Sequence, residues 1–129
     1  MIRTDVFDYI NVMDKAADAS WLRNKAIANN IANEDTPGYK RKDVDFEGAL
    51  KTALLNNRYV SMDDKVRTLT SSELSVGIKT EEFGYSYRLD RNNVDIEQEQ
   101  AELASNQIKY QAIINSLTGE FANLKAVIK

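Results

Sequence analysis

The sequence predicts a mainly α fold in which long N- and C-terminal helices pair as an antiparallel, coiled-coil-like hairpin. Residues 95–128 contain no proline and one glycine, and apolar residues recur there at alternating steps of four and three. Residues 5–32 follow the same spacing less regularly. We therefore expect residues 1–39 and 90–129 to form the paired helices. Residues 40–89 should form a small, partly flexible outer segment with a short helix and a possible β-hairpin.

The predicted C-terminal helix runs from Asp95 to Ile128. Asp95 and Gln98 have the spacing of a capping box, and Lys125 and Lys129 place positive charge at the helix end. The expected seam is Ile96, Leu103, Tyr110, Ile114, Leu117, Phe121, Leu124 and Ile128, with Gln100 and Gln107 in the same register. This seam is narrower than the apolar stripe of an ordinary surface helix, so its partner should be another helix.

The predicted N-terminal helix runs from about Asp5 to Ala32. Its seam consists of Val6, Ile10, Met13, Ala17, Ile27 and Ile31, with Ser20 and Asn24 as polar members. Small residues at 16–20 would let a partner helix approach closely. The helix should end before residues 36–38, because proline disfavours helical dihedrals in the residue before it and Pro-Gly is typical of a type II turn.

The middle of the chain shows a different pattern. Apolar residues at Phe46, Leu50 and 53–54 predict a short helix capped by Asp45 and ending near residues 56–57. Alternating apolar residues follow at Leu74, Val76 and Ile78, and again at Phe83, Tyr85, Tyr87 and Leu89. Two such runs separated by Glu81 and Glu82 indicate a β-hairpin. Residues 56–73 carry little pattern.

Two narrow seams leave large apolar residues without a place in the hairpin. The residues expected to stay exposed are Trp21, Leu22, Ile108, Ile113 and Val127. A helix hairpin can tolerate scattered apolar residues on its surface. Burying each one would, however, contribute roughly 1.5–3 kcal/mol. We favour the interpretation that other chains complete these faces.

The composition excludes several kinds of site. The chain has no cysteine and no histidine, so disulfides, thiolate or imidazole metal sites and the catalysis those residues perform are absent. The net charge of −3 disfavours nucleic acid as a partner. Residues 40–42 are basic but are followed by Asp43 and Asp45, and we interpret them as a solvated loop. No stretch of about 18 apolar residues predicts membrane insertion.

The acidic residues at the start of the C-terminal helix have a simple interpretation. Asp95, Glu99 and Glu102 share one helix face. Negative charge in the first turns is favoured by the helix dipole. We therefore expect no catalytic residue, no metal and no cofactor there.

Two strings in the sequence carry a family resemblance. Residues 26–41, AIANNIANEDTPGYKR, closely resemble the N-terminal signature of the flagellar axial proteins of rod and hook. Residues 87–111, beginning YRLDRNNVDIEQE, resemble the C-terminal signature of the proximal rod proteins in that family, and residues 43–46 match as well. Arg91 stands where the family usually has glycine, so the turn at that position is expected to differ.

The resemblance implies a structural subunit of the proximal rod of the bacterial flagellar basal body. Such a subunit transmits torque and lines the export channel, and it is not an enzyme. The implied partners are other copies of the chain, other rod proteins, a FliE-type adaptor, the MS ring and the export gate. The implied location is the periplasmic rod, reached without a cleaved signal peptide. The alternative is a cytoplasmic coiled-coil adaptor or export chaperone, which would share the seam but not the two strings.

The first string supplies the expected assembly motif. Its residues are Ala28, Asn29, Asn30, Ile31, Ala32, Asn33, Thr36, Pro37, Gly38 and Tyr39. Asparagines near a helix end often act as caps, which we expect for Asn33. Asn29 and Asn30 lie a turn inside the helix, where hydrogen bonds between subunits are at least as plausible. Tyr39 should pack back onto the helix end.

Overall fold

The computed structural model describes residues 6–55, 61–69, 74, 77–80 and 93–128. Four helices lie in these ranges: α1 (Val6–Ala32), α2 (Phe46–Leu55), α3 (Met62–Thr68) and α4 (Ile96–Val127). Two short strands, β1 (Lys42–Asp43) and β2 (Lys79–Thr80), pair antiparallel, with Lys42 opposite Thr80. Helices α1 and α4 pack along each other, and the predicted mainly α fold is confirmed.

Helix α1 ends where the sequence predicts, and the reason is visible in the backbone. The Asn33 N–H donates to the Asn30 carbonyl at 3.1 Å, which tightens the last turn. The Tyr39 N–H donates to the Thr36 carbonyl at 3.2 Å, and Gly38 has φ +73°. A positive φ at this position is the requirement of a type II turn, and glycine meets it without steric cost.

Helix α4 is capped by Asp95, as predicted. The Asp95 carboxylate accepts from the backbone N–H groups of Glu97 and Gln98. A capping box would also have the Gln98 side chain accept from the Asp95 N–H, and this part of the prediction is wrong. The Gln98 side chain instead donates to the Glu102 carboxylate at 3.1 Å, because residues four apart are neighbours on a helix surface.

The seam of α4 follows the predicted register only in part. Of the predicted apolar residues, six lie partly buried and two are exposed: Ile96, Leu103, Tyr110, Ile114, Leu117 and Leu124 are partly buried, and Phe121 and Ile128 are exposed. The second row is Glu99, Asn106, Ile113 and Glu120, whereas Gln100 and Gln107, which the prediction placed in the seam, are exposed. Glu99 and Asn106 are 1% and 2% exposed. A pattern that follows apolar residues cannot find a seam row whose most buried members are polar.

The middle segment departs from the prediction in two ways. Helix α3 lies within the stretch that showed little pattern, and Ser61 caps it by accepting from the Asp64 N–H at 3.2 Å. The second strand of the predicted hairpin, residues 83–89, lies outside the described residues. In the described part of the chain, β2 pairs with β1, a strand that the sequence did not predict. Helix α2 is capped by Asp45, as predicted.

A small apolar cluster joins the middle segment to α1. Ala19, Ala26 and Val44 are buried together, and Leu22 and Phe46 pack against them. The prediction that Leu22 stays exposed is therefore wrong, because the chain around β1 covers that side of α1. Trp21, Ile108 and Val127 are 56%, 74% and 83% exposed, as expected, whereas Ile113 is partly buried.

Candidate functional site

Arg41 is the centre of a polar cluster between α1, β1 and α4. Its Nε lies 2.5 Å from Glu99 Oε1, and one terminal nitrogen lies 2.8 Å from Glu102 Oε2. The side chain is only 11% exposed. The interpretation of residues 40–42 as a solvated loop is therefore wrong for Arg41. The chain holds its guanidinium against two carboxylates from the start of α4, and these carboxylates bind arginine in addition to any effect on the helix dipole.

Arg23 extends this cluster along α1. Its terminal nitrogen lies 3.1 Å from Glu102 Oε2, and its Nε lies 2.9 Å from Asp43 Oδ1. Burial alone would raise the pKa of the Asp43 carboxyl. Hydrogen bonds from Arg23 and the Val44 N–H, with the charges of Arg23 and Arg41, outweigh burial and lower that pKa below its usual value.

Asn30 joins the assembly motif to the same cluster. Its Nδ2 donates to the Lys42 carbonyl at 2.7 Å and to Glu99 Oε2 at 2.9 Å. Its Oδ1 accepts from the Lys42 N–H at 2.9 Å and lies 3.2 Å from the Tyr39 hydroxyl oxygen. The amide thus meets both backbone polar groups of Lys42, as a neighbouring strand would. Asn30 is 0% exposed, so the expectation of a contact between subunits is wrong for this residue.

Asn106 makes a second polar contact between the long helices, one heptad beyond Glu99. Its Nδ2 donates to the Ser20 carbonyl at 2.8 Å and to Asn24 Oδ1 at 2.9 Å. Trp21 and Tyr110 lie beside this contact with ring centroids 6.4 Å apart. Asn24 belongs to the predicted N-terminal seam, but the predicted register of the C-terminal helix placed Gln107 in the seam, and the buried residue is its neighbour Asn106.

The rest of the assembly motif forms a polar surface at the end of α1. The Asn33 amide donates to the Asn29 carbonyl at 2.8 Å, and the Thr36 hydroxyl donates to Asn33 Oδ1 at 3.2 Å. The Tyr39 hydroxyl donates to Asn29 Oδ1 at 2.7 Å, so Tyr39 folds back onto the helix end. Burial and the negative charge of Glu99 raise the pKa of the Tyr39 phenol.

The motif residues therefore divide by exposure. Asn29, Ala28, Ala32 and residues 36–38 are exposed, whereas Ile31, Asn33 and Tyr39 are partly buried. The exposed members remain available to a partner, and their role in assembly stays a prediction.

An apolar surface lies at the opposite end of the helix pair. Phe7 from α1 and Phe121, Leu124 and Ile128 from the end of α4 line an open groove. Phe7 and Phe121 are each 55% exposed, and Ile128 is 83% exposed. Phe121 and Ile128 belong to the predicted seam, yet most of their surface faces solvent. Their role as seam residues also stays a prediction.

Two further kinds of site are absent from the described ranges. They contain no group of three or more acidic side chains placed to hold a metal ion. None of their helices is both long and apolar enough to cross a membrane.

Comparison with known proteins decides the family. The chain is 36% identical to the flagellar basal body rod protein FlgB of Bacillus subtilis (strain 168) over 120 residues, which cover 92% of each chain. The chain belongs to the FlgB family. It is also 32% identical to FlgB of Aquifex aeolicus (strain VF5), over 97% of this chain and 96% of that one. FlgB of Escherichia coli (strain K12) is 31% identical over 83% of each.

A family profile agrees with these relatives. The profile described as "Flagella basal body rod protein" matches residues 16–40. This span contains Arg23 and Asn30 and ends one residue before Arg41. The part of α1 that matches this profile thus contributes Arg23 and Asn30 to the polar cluster.

Proposed function

We propose that this chain is a structural subunit of the proximal rod of the flagellar basal body. The observation that carries the proposal is the 36% identity to a FlgB protein over 92% of both chains. Relatives from several bacteria bear the same name, "Flagellar basal body rod protein FlgB". The subunit acts mechanically: it transmits torque and lines the export channel, and it catalyses no reaction.

The exposed apolar residues support assembly through the terminal helices. Phe7, Phe121 and Ile128 lie together at one end of the pair, and Trp21 and Ile108 lie exposed farther along it. Covering each large apolar side chain contributes roughly 1.5–3 kcal/mol. Contacts with other copies and with other rod proteins would supply that burial.

The finer parts of the proposal follow from the family resemblance. The paired helices of residues 1–39 and 90–129 form the rod core, and residues 40–89 lie outward. The neighbours are other rod proteins, a FliE-type adaptor, the MS ring and the export gate. The chain reaches the periplasmic rod by flagellar export without a cleaved signal. A cytoplasmic adaptor or export chaperone would share the helix pair but not the near full-length similarity to FlgB proteins.

The test is complementation in a motile bacterium that encodes this chain. Deleting the gene should leave MS rings without rods in electron micrographs of basal bodies, and wild type should restore rods and swimming. Leu117→Pro should not, because proline in the middle of α4 removes a hydrogen bond and kinks the helix. Normal rods and swimming in the deletion strain would overturn the proposal.

A matched pair of surface variants tests the proposed contact surface. Phe121→Ser changes an exposed residue at the end of the helix pair, and Ile78→Ser changes an exposed residue of the middle segment. Both proteins should fold, as circular dichroism would show. Phe121→Ser should reduce the number of complete rods, whereas Ile78→Ser should not. Equal rod numbers for the two variants would argue against the helix end as a contact.

A further inference from the structure

The contact between α1 and α4 is polar where it is most deeply buried. Asn30, Glu99 and Asn106 are 0%, 1% and 2% exposed, beside Ile27 at 0%. Their hydrogen bonds join the two helices at two levels, Asn30 with Glu99 and Asn106 with Ser20 and Asn24. Buried polar groups are costly unless each has a hydrogen-bond partner. These contacts are therefore satisfied only when α1 and α4 are aligned as in this structure.

The apolar part of the seam does not require one particular alignment of α1 and α4. Leu103, Tyr110, Leu117 and Leu124 recur every seven residues. A slip of α4 by one heptad would move each of them to the place of the next, so that large side chains would still face α1. Such a slip is a translation of about 10 Å, from a rise of about 1.5 Å per residue. Apolar packing alone therefore allows more than one register.

The polar contacts do not repeat in this way. Glu99 uses both carboxylate oxygens, one on Asn30 and the other on Arg41. A one-heptad slip would take Glu99 away from both partners while it stayed buried, and an unpaired buried carboxylate is strongly disfavoured. The Asn106 amide would lose Asn24 in the same movement.

We propose that Asn30, Arg41, Glu99 and Asn106 act as a register lock, which selects one alignment of α1 and α4 and contributes no more stability than well-packed apolar side chains of the same size would. Buried ion pairs often contribute little net stability compared with apolar residues of similar size, whereas a buried polar residue can specify helix register. The assembly residues of the two helices then reach the surface in one fixed arrangement.

The lock needs three parts of the chain together. Asn30 comes from α1, Glu99 and Asn106 come from α4, and Arg41 comes from the segment before β1. Asn30 also holds both backbone polar groups of Lys42. The register of the long helices is thus tied to the position of the middle segment, and one alignment fixes all three.

Spin-label distances in the full chain test this proposal. The chain has no cysteine, so Asp18→Cys and Ala122→Cys provide two labels on exposed positions of α1 and α4. The otherwise unchanged chain should give one narrow distance peak. Arg41→Met with Glu99→Met should add at least one peak, displaced by about 5 or 10 Å for a slip of one or two helical turns. The melting temperature should stay equal or rise.

The controls separate register from stability. Lys109 and Glu47 form an ion pair between α4 and α2 whose side chains are 45% and 73% exposed, so Lys109→Met with Glu47→Met should keep the single peak. Arg41→Met alone should melt at a clearly lower temperature than the double variant, because Glu99 then stays buried without its cation. Asn106→Leu removes only the second level of the lock, so it should add a smaller displaced peak than the double variant, because Glu99 keeps Asn30 and Arg41.

Three results would overturn the proposal. One is a single unshifted peak in both Arg41→Met/Glu99→Met and Asn106→Leu, which would show that apolar packing sets the register. Another is loss of helical circular dichroism in the double variant, which would make the cluster a source of stability. The third is several peaks in the labelled chain that carries no other change, because the lock would then not select one alignment.

Discussion

The two halves of the helix pair are built differently. The closed half comprises residues 19–32 and 93–107, and the open half comprises residues 6–17 and 110–128. In the closed half, Asn30, Glu99 and Asn106 are buried with hydrogen-bond partners inside the chain. In the open half, Phe121 and Ile128 expose most of their surface.

Residues of a family signature can hold the subunit itself together or contact neighbouring subunits, and the two halves separate these roles. Much of the signature lies in the closed half, where Asn30 and Glu99 hold the chain's own helices and middle segment together. The apolar residues at the end of the open half are not needed to satisfy any polar group in the chain. The closed half therefore defines the subunit, and the open half offers a surface to its neighbours.

The largest expected effect comes from two adjacent asparagines. Asn30→Ala should lower the free energy of unfolding by about 2–5 kcal/mol, because it leaves the Lys42 N–H, the Lys42 carbonyl and Glu99 without this partner. Asn29→Ala should change it by less than about 1 kcal/mol, since Asn29 is exposed. Urea denaturation followed by circular dichroism measures both values.

The comparison of the halves depends on that contrast. If Asn29→Ala destabilised the chain as much as Asn30→Ala, exposure would not distinguish the two residues. The motif would then be a single structural unit, and the division into a closed and an open half would lose its basis.

A second contrast uses apolar residues. Val44→Ala removes two methyl groups from the buried cluster with Ala19 and Ala26, and it should cost about 1–3 kcal/mol in unfolding free energy. Ile128→Ala truncates a side chain that is 83% exposed and should cost less than about 0.5 kcal/mol. Thermal unfolding of the isolated chain measures both. A loss above about 1 kcal/mol for Ile128→Ala would show that the open half already supports the fold without partners.

The sequence predicted the long helices well because their signals are local. The cap at Asp95 and the Pro37-Gly38 turn each act over a few residues, and the structure confirms both. The heptad spacing indicated two long helices, which the structure has, but it placed Gln100 and Gln107 in the seam, and both are exposed. Helix α3 could have been predicted from the same kind of signal, since Ser61 and Asp64 have the spacing of an N-terminal cap.

The polar cluster could not be predicted in this way. Arg41 and Glu99 are separated by 58 positions in the sequence, and nothing near either residue reveals the pairing. The basic residues around Arg41 suggested that it is exposed to solvent. The acidic residues around Glu99 were explained by the helix dipole, which favours negative charge at a helix start. Burial of both follows only once α1 and α4 lie side by side.

A third prediction compares two glycines. Gly38→Ala should lower the free energy of unfolding by about 1 kcal/mol, because φ is +73° there and side chains other than glycine disfavour that region. Gly119→Ala should raise it by about 0.5–1 kcal/mol, because Gly119 lies inside α4 with open space at its Cβ position. Urea titration distinguishes the two signs. A loss of stability in Gly119→Ala would indicate that the open half needs that site empty even in the free chain.

The smallest expected effect is a pH dependence in the closed half. Burial would raise the pKa of the Asp43 carboxyl, but hydrogen bonds and the charges of the arginines at positions 23 and 41 lower it below its usual value. A carboxyl whose pKa is lower in the folded chain contributes stability that is fully present above the unfolded pKa of about 3.9, and this stability is lost as pH falls through the folded pKa. Because Asp43 is 30% exposed, solvent screening keeps the effect modest. The unfolding free energy should therefore fall more steeply below pH 4 in the wild-type chain than in Asp43→Asn. Equal slopes for the two proteins would mean that Asp43 gains nothing from its two arginines, and the closed half would then depend on Asn30, Glu99 and Asn106 alone.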